Sequence, residues 1–202
     1  MNREDPRVLR TRRLIRESFR TLLRSKGFES ITIKDIARQA VINRATFYSH
    51  YEDKYALLDE ITEQAFLETM PEQAREARQF TDEVCELLIL ATYRYTVDFY
   101  RTCRMDSKSI ATLVDRKMKS MLQETIETIL LRTEDIAPAN RRRAKMAAAI
   151  TGAAIYSAAY EWLTIGDDDS TGPLVETTLP YIMNGMNELL LELSGPAIKT
   201  GR

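Results

Sequence analysis

Apolar positions recur with helical rather than alternating period along almost the whole chain. Val8, Leu14, Ile15, Phe19, Leu22 and Leu23 trace one stripe and predict a first helix over about 8–25. Gly27 is the expected residue just past its end, with Phe28 beyond it for the closing apolar contact. "SITIKD" opens a short second helix, with Thr32 as N-cap and Asp35 three residues on, the spacing of a capping box. Ile33, Ile36, Ala37 and Ala40 form its apolar edge. Asn43 is a good N-cap for a third helix, "RATFYSHY", and Asp53 for a fourth, "KYALLDEITEQAFLETM". Residues 70–80 are polar around Pro71 and predict a junction. Further helices are expected over about 81–103, 107–132, 138–165 and 173–193, with Pro180 kinking the last or marking its start. No strand alternation, repeat or low-complexity tract interrupts this pattern. The expected fold class is therefore all-α, with residues 1–55 as one domain and 56–202 as another.

Composition agrees with that reading. Gly and Pro number only 7 and 6 in 202 residues, so little breaks the helices. No apolar run approaches the ~18 residues of a membrane span, and the first residues lack the apolar stretch of a secretory signal. No membrane association is expected. Cys85 and Cys103, if on one helix, lie roughly 27 Å apart at about 1.5 Å per residue, too far to bridge. Two reduced thiols in a cytoplasmic protein are expected, as buried apolar groups or, alternatively, redox sensors.

Charge changes the picture more. Residues 1–58 hold 13 Lys and Arg against 7 Asp and Glu, and the remainder holds 16 against 23. The basic segment points to a polyanionic partner, or else to a solvated arginine-rich first helix. The third helix sharpens this. At about 100° per residue Phe47 and Tyr51 share a packed side, while Arg44, Ala45, Tyr48 and Ser49 share an outer one. Small Ala45 and Ser49 let the helix approach a major groove, and Arg44 can donate twice to a guanine edge. Thr46, Tyr48 and His50 reach phosphate oxygens, and Lys54 opens the next helix, where an anion is favoured. His50 is the only histidine, and no partner near it in sequence suggests catalysis or a metal.

The stretch "GFESITIKDIARQAVINRATFYSHYEDKYALL" resembles the N-terminal helix-turn-helix of the TetR family of bacterial transcriptional regulators. Gly27, Thr32, Ile36, Ala37, Ala40, Thr46, Tyr48, His50, Tyr51, Lys54 and Leu57 keep the family's spacing. "INRATFYSHYEDKYALL" is most similar to the branch of dihydroxyacetone kinase regulators. Two departures stand out. The family's usual Gly-Val-Ser turn is Val41-Ile42-Asn43, and its usual Gly before the threonine is Ala45. Val41 is expected at negative φ, or under mild strain, with the two helices keeping their usual crossing.

The resemblance implies a TetR-like architecture, a three-helix DNA-binding domain followed by a helical effector-binding and dimerisation domain. It implies a homodimer on a double-stranded DNA operator, probing it with Thr32, Lys34, Asn43, Arg44, Ala45, Thr46, Tyr48, Ser49, His50 and Lys54. Arg7, Arg10, Arg12 and Arg13 would add nonspecific attraction from an N-terminal arm. The small residues of the seventh predicted helix and the apolar ones of the last suit a dimer interface, through Ala148, Gly152, Ile155, Ala159, Leu179, Ile182, Met183, Met186 and Leu190, or else an intrachain core. Tyr93, Phe99, Met118, Met121, Tyr156 and Trp162 are candidates to line a pocket for an unknown small-molecule effector, with core packing the alternative. The expected function is a repressor released by its ligand. The alternative is a protein-interaction adaptor, or an activator answering to a coactivator, on the same scaffold. No metal-spaced His/Cys set, Gly-rich phosphate loop or nucleophile–base pair suggests an enzyme, and no cofactor is expected.

Overall fold

The computed structural model describes residues 5–102, 108–132, 138–165 and 170–194. All regular structure among them is helical: α1 (Pro6–Ser25), α2 (Ile33–Gln39), α3 (Arg44–Tyr48), α4 (Lys54–Thr69), α5 (Glu72–Glu76), α6 (Asp82–Thr102), α7 (Lys108–Leu131), α8 (Pro138–Ile165) and α9 (Gly172–Ser194), with a 3-10 turn at Phe28–Ser30. The chain divides into two compact units, Met1–Ala65 with Asp98–Val114, and Phe66–Val97 with Asp115–Arg202. The proposed boundary at residue 55 falls inside α4, and Cys103 lies outside the described residues.

In the first unit α1 begins two residues earlier than its apolar stripe suggests. Asp5 accepts a hydrogen bond from the Arg7 amide, and Pro6 fits the first helical position, where no N–H is needed. Ile15, Phe19, Leu22 and Leu23 are buried, and α1 packs on α2. The helix does not end as expected. Lys26 closes it by donating from its amide to Leu22 O, with φ −130 and ψ 147, so the chain leaves in an extended conformation. Gly27 has φ −62 and is not a left-handed cap. Phe28 is nonetheless buried, its ring 6.2 Å from Phe19.

The second unit contains a helix where the sequence predicted only a junction. α5 follows Pro71, and Arg132, just past the end of α7, donates to the carbonyls of Arg75 and Ala77 at 3.0 and 2.8 Å. Those bonds occupy carbonyls that a short helix end leaves open. Within α6 the buried hydroxyls of Thr92 and Thr96 each donate to the carbonyl four residues back, at 2.7 Å, so neither is a buried orphan. Cys85 is buried beside them on α6, and burial, then Asp82, push its thiol up to about 12. Such a thiol carries little thiolate at neutral pH, which fits the packed apolar role better than that of a redox sensor. α9 runs continuously through Pro180, which therefore does not mark its start.

α8 and α9 pack together. Seven of the nine residues expected at a dimer interface are buried inside the single chain: Ala148, Gly152, Ile155, Ala159, Ile182, Met183 and Met186. Leu179 and Leu190 are half-buried. Gly152 shows why the small residues are there. A Cβ on it would stand 3.0 Å from Gln123 N and 3.1 Å from Leu122 Cβ, so it lets α8 lie close against α7. The open apolar face of the α8–α9 pair carries Met146, Ile150 and Tyr181 instead, 61%, 65% and 81% exposed.

Candidate nucleic-acid interface

The interface is built by α2, the turn after it, α3 and the first turn of α4. Thr32 caps α2 as its spacing predicts. Its hydroxyl accepts from the Asp35 amide at 3.1 Å and donates to Asp35 Oδ2 at 2.8 Å, while its own amide donates to the same oxygen at 3.1 Å. Those hydrogen bonds from Thr32 are the main reason that the Asp35 carboxyl lies below its usual range. Ile36, Ala37 and Ala40 are buried, and Lys34 points outward from the opposite side.

The turn departs from expectation. Val41 has φ 55, a left-handed conformation. The reason is the hydrogen-bond pattern that closes α2. Val41 N donates to Arg38 O at 3.2 Å and Ile42 N to Ala37 O at 3.0 Å, the two bonds of a Schellman motif. That motif requires φ > 0 at its C′ residue, whichever residue stands there. Val41 is 90% exposed, so no side-chain contact drives the conformation.

α3 then starts at its predicted cap. Asn43 Oδ1 accepts from the Thr46 amide at 2.7 Å and its hydroxyl at 2.9 Å. Phe47 is fully buried and Tyr51 is 5% exposed, which fixes the inner side. Arg44, Ala45, Tyr48 and Ser49 are exposed on the outer side, and Thr46 and His50 are half-buried at its edge. The ten residues proposed to meet DNA thus lie on contiguous local elements, with the outer four on one face of α3.

Lys54, expected at phosphate, turns toward the protein backbone. Its ammonium donates to the carbonyls of Phe28, Glu29 and Ile31 at 2.9, 3.3 and 3.1 Å and sits 4.4 Å above the Phe28 ring. Three protons meet three carbonyls, so the side chain ties α4 to the 3-10 turn ahead of α2. Asp53 caps α4 as predicted, accepting from the amides of Tyr55 and Ala56 at 2.9 and 2.8 Å.

A charged cluster behind α3 was not foreseen. Glu60 on α4 binds Arg12 and Arg16 of α1, the latter at 2.8 Å, and accepts from the Tyr51 hydroxyl at 3.0 Å. Arg12 lies 4.7 Å over the Tyr51 ring and donates to the His50 carbonyl at 3.4 Å. It belongs to α1 and to this cluster, not to a basic arm. Burial and then Glu60 push the Tyr51 phenol up to about 12, so it remains a donor at any working pH. The i, i+4 spacing of Arg12 and Arg16 marks a shared face, but their acceptor lies 44 or more residues away.

Residues 15–61 match the family model of bacterial regulatory proteins of the tetR family. Through this segment the chain resembles the tetR family. It is 42% identical over 65 residues to the HTH-type transcriptional regulator YxbF of Bacillus subtilis (strain 168), across 32% of this chain and 17% of that one. It is 30% identical over 83 residues to DhaS, the dhaKLM operon transcriptional activator of Lactococcus lactis subsp. lactis (strain IL1403), across 41% of this chain and 42% of that one. The matches therefore span less than half the length of these curated relatives. A TetR transcriptional regulator from Streptococcus agalactiae 2603V shares the fold with a TM-score of 0.54 at 22% identity, over 89% of this chain and 97% of that one. A TetR-family regulator from Streptomyces coelicolor A3 does so with 0.53 at 17%, over 93% and 98%. The tetR-type fold thus extends over most of the chain.

The residues expected at an effector pocket fall in both units. Tyr93, Met118, Met121 and Tyr156 are buried in the second unit, whereas Phe99 falls in the first, 5.7 Å from the Tyr100 ring. Trp162 donates from its indole N–H to Ser170 O at 3.0 Å. Among the described residues no group of three or more His, Cys, Asp or Glu is arranged to hold a metal ion. Nor is any helix among them long and apolar enough to cross a membrane.

Proposed function

We propose that this tetR-family regulator is a homodimeric repressor that occupies an operator through α3 and leaves it when an effector binds the second unit. The observation that carries the reading is the division of α3 into two faces. Phe47 and Tyr51 anchor it, and Arg44, Ala45, Tyr48 and Ser49 face outward with no bulky apolar side chain among them to bar a groove. Tyr48 brings a ring edge and a hydroxyl within reach of backbone phosphates, and Arg44 a planar fork suited to guanine. The excess of Lys and Arg in residues 1–58 supplies the sequence-independent attraction.

Dimerisation is supported by the open face of α8 and α9. Met146, Ile150 and Tyr181 line one apolar groove with Ala154 and Gly185. A contiguous exposed apolar face marks an interaction site, and a second copy meeting it isologously covers both grooves at once. Two α3 helices then stand about one DNA turn apart, roughly 34 Å. An effector acts by preferring the conformer with a different spacing.

The similarity to DhaS, a transcriptional activator by name, favours a second reading in which the same dimer activates its promoter. One experiment tests the first reading and separates it from the second. The chain is titrated onto the DNA upstream of its own coding region at 50 and 200 mM salt, and a reporter is driven from that DNA with and without the chain. Salt-sensitive binding with reduced output supports the repressor, and increased output the activator. Absence of specific binding would overturn both.

A further inference from the structure

α3 is too short to orient itself. Its five residues make little more than one turn, and it is fixed from outside at three points. The Ile42–Ala37 bond holds its entry, Phe47 holds its middle, and Tyr51 holds its exit. Only the third point is made by charges. Glu60 accepts from Arg12, Arg16 and the Tyr51 hydroxyl. Arg12 is held on three sides. One terminal nitrogen meets Glu60, the other meets the His50 carbonyl, and its flat face lies over Tyr51. The carbonyl it meets lies just past the C-terminal end of α3, where a cation is also favoured by the helix dipole.

We infer that Glu60 and Arg12 are positioning residues for DNA reading. The Glu60 carboxylate holds the Arg12 fork against the His50 carbonyl and the Tyr51 ring, and so sets the tilt at which α3 presents Arg44 and Tyr48. The inference rests on α3 being the reading helix. Two simpler roles compete with it. Arg12 as a phosphate contact is disfavoured because both terminal nitrogens already donate within the cluster, and its side chain is only 24% exposed. A surface ion pair of no consequence is disfavoured because Glu60 is only 28% exposed and binds two arginines and a phenol rather than one mobile partner. A planar fork holds this geometry in a way that a lysine ammonium does not.

The test compares the full chain with Glu60→Gln, Arg12→Lys and Tyr51→Phe on two fragments, its upstream DNA and a scrambled fragment of equal length. Circular dichroism establishes that each variant is folded at the assay temperature. The ratio of the two affinities is diagnostic, because an unfolded fraction lowers both equally. E60Q and R12K are expected to lose at least about tenfold in affinity for the upstream fragment. Affinity for the scrambled fragment should stay within about twofold, with an unchanged salt slope, since no phosphate contact is removed. Y51F keeps the ring under Arg12 and removes one donor, so its loss should be smaller than that of E60Q. Should E60Q fail to fold, R12K and Y51F carry the same comparison. Specific affinity within twofold of the parent in R12K and E60Q would overturn the inference, and so would equal losses on both fragments. If the unaltered chain shows no preference for the upstream fragment, the DNA-reading proposal falls first and this one falls with it.

Discussion

The Ile42 amide donates to the Ala37 carbonyl at 3.0 Å, and the backbone between them passes through Val41 at φ 55. The bond that ends α2 and the unusual conformation of Val41 are one event. A β-branched residue in that conformation is held there at a cost of about 1–2 kcal/mol or more. Val41→Gly removes the clash and adds back about 0.5–1 kcal/mol of backbone entropy in the unfolded chain. The expected outcome is stabilisation by about 1 kcal/mol, a melting temperature higher by about 2–4 °C. Thermal melting of the full chain checks it, and a lower melting temperature would contradict the strain argument.

Arg44 stands exposed at the first position of α3, clear of the Asn43 cap that starts the helix. Arg44→Ala should therefore leave melting within about 0.5 kcal/mol of the parent, as surface substitutions do. Binding to the upstream fragment should fall by about 1–3 kcal/mol, the worth of one bidentate base contact. Anisotropy titrations on the upstream and scrambled fragments measure both the loss and its specificity. No loss on either fragment would remove Arg44 from the interface, and an equal loss on both would make it a phosphate contact instead of a base contact.

These first two cases show how far the sequence could be followed. Thr32, Asn43 and Asp53 act as caps where their spacing placed them, because a cap bonds within three residues of itself. The inner and outer sides of α3 were legible for the same reason. The conformation of Val41 was not, because residue identity argued against it and the closing bonds of α2 decided it. Lys54 and Glu60 were out of reach for another reason. Apart from Tyr51, nine residues from Glu60, their partners lie 23 to 48 residues away, and only the packed fold brings them close. On α8 small residues nearly surround the helix, so their abundance was visible but not which face meets α7.

Lys54 spans from α4 to the three carbonyls at Phe28, Glu29 and Ile31. Lys54→Met keeps the apolar stem over Phe28 and removes all three bonds. Carbonyls left short of a charged donor should cost about 1.5–3 kcal/mol. The same variant separates a strut from a phosphate contact. Loss of a phosphate contact would lower the salt slope of DNA binding by about 0.9, whereas loss of a strut lowers stability and leaves that slope unchanged. Melting together with a salt titration decides between them.

Gly152 brings α8 against the backbone at Gln123. Gly152→Ala would gain about 1 kcal/mol of helix propensity anywhere that space allowed. Here the new methyl meets a backbone nitrogen at 3.0 Å, which cannot rotate away. Overpacking of that kind costs about 1–3 kcal/mol. The expected net effect is destabilisation by about 1 kcal/mol, read as a lower melting temperature. A more stable variant would mean that α7 yields at this point.

His50 gives the fold a dependence on pH whose sign can be worked out. Its Nδ1 is buried without a hydrogen-bond partner among the described residues, and burial first, then the Arg12 guanidinium, lower its pKa. The unfolded chain titrates near 6.5 and so takes up the proton first as pH falls. The stability associated with neutral His50 is therefore complete above about pH 6.5, declines below it, and stops declining once the folded imidazole is protonated as well. His50→Gln removes that titration. Melting temperatures of the parent at pH 7.5, 6.5 and 5.5 should fall more steeply than those of the variant. Parallel curves would assign the acid sensitivity to other groups, of which Asp35 titrates far lower because its carboxyl is held below the usual range by Thr32. The predicted gap between the two curves opens near pH 6.5, well above the carboxylate range, which is what makes the histidine separable from the acids.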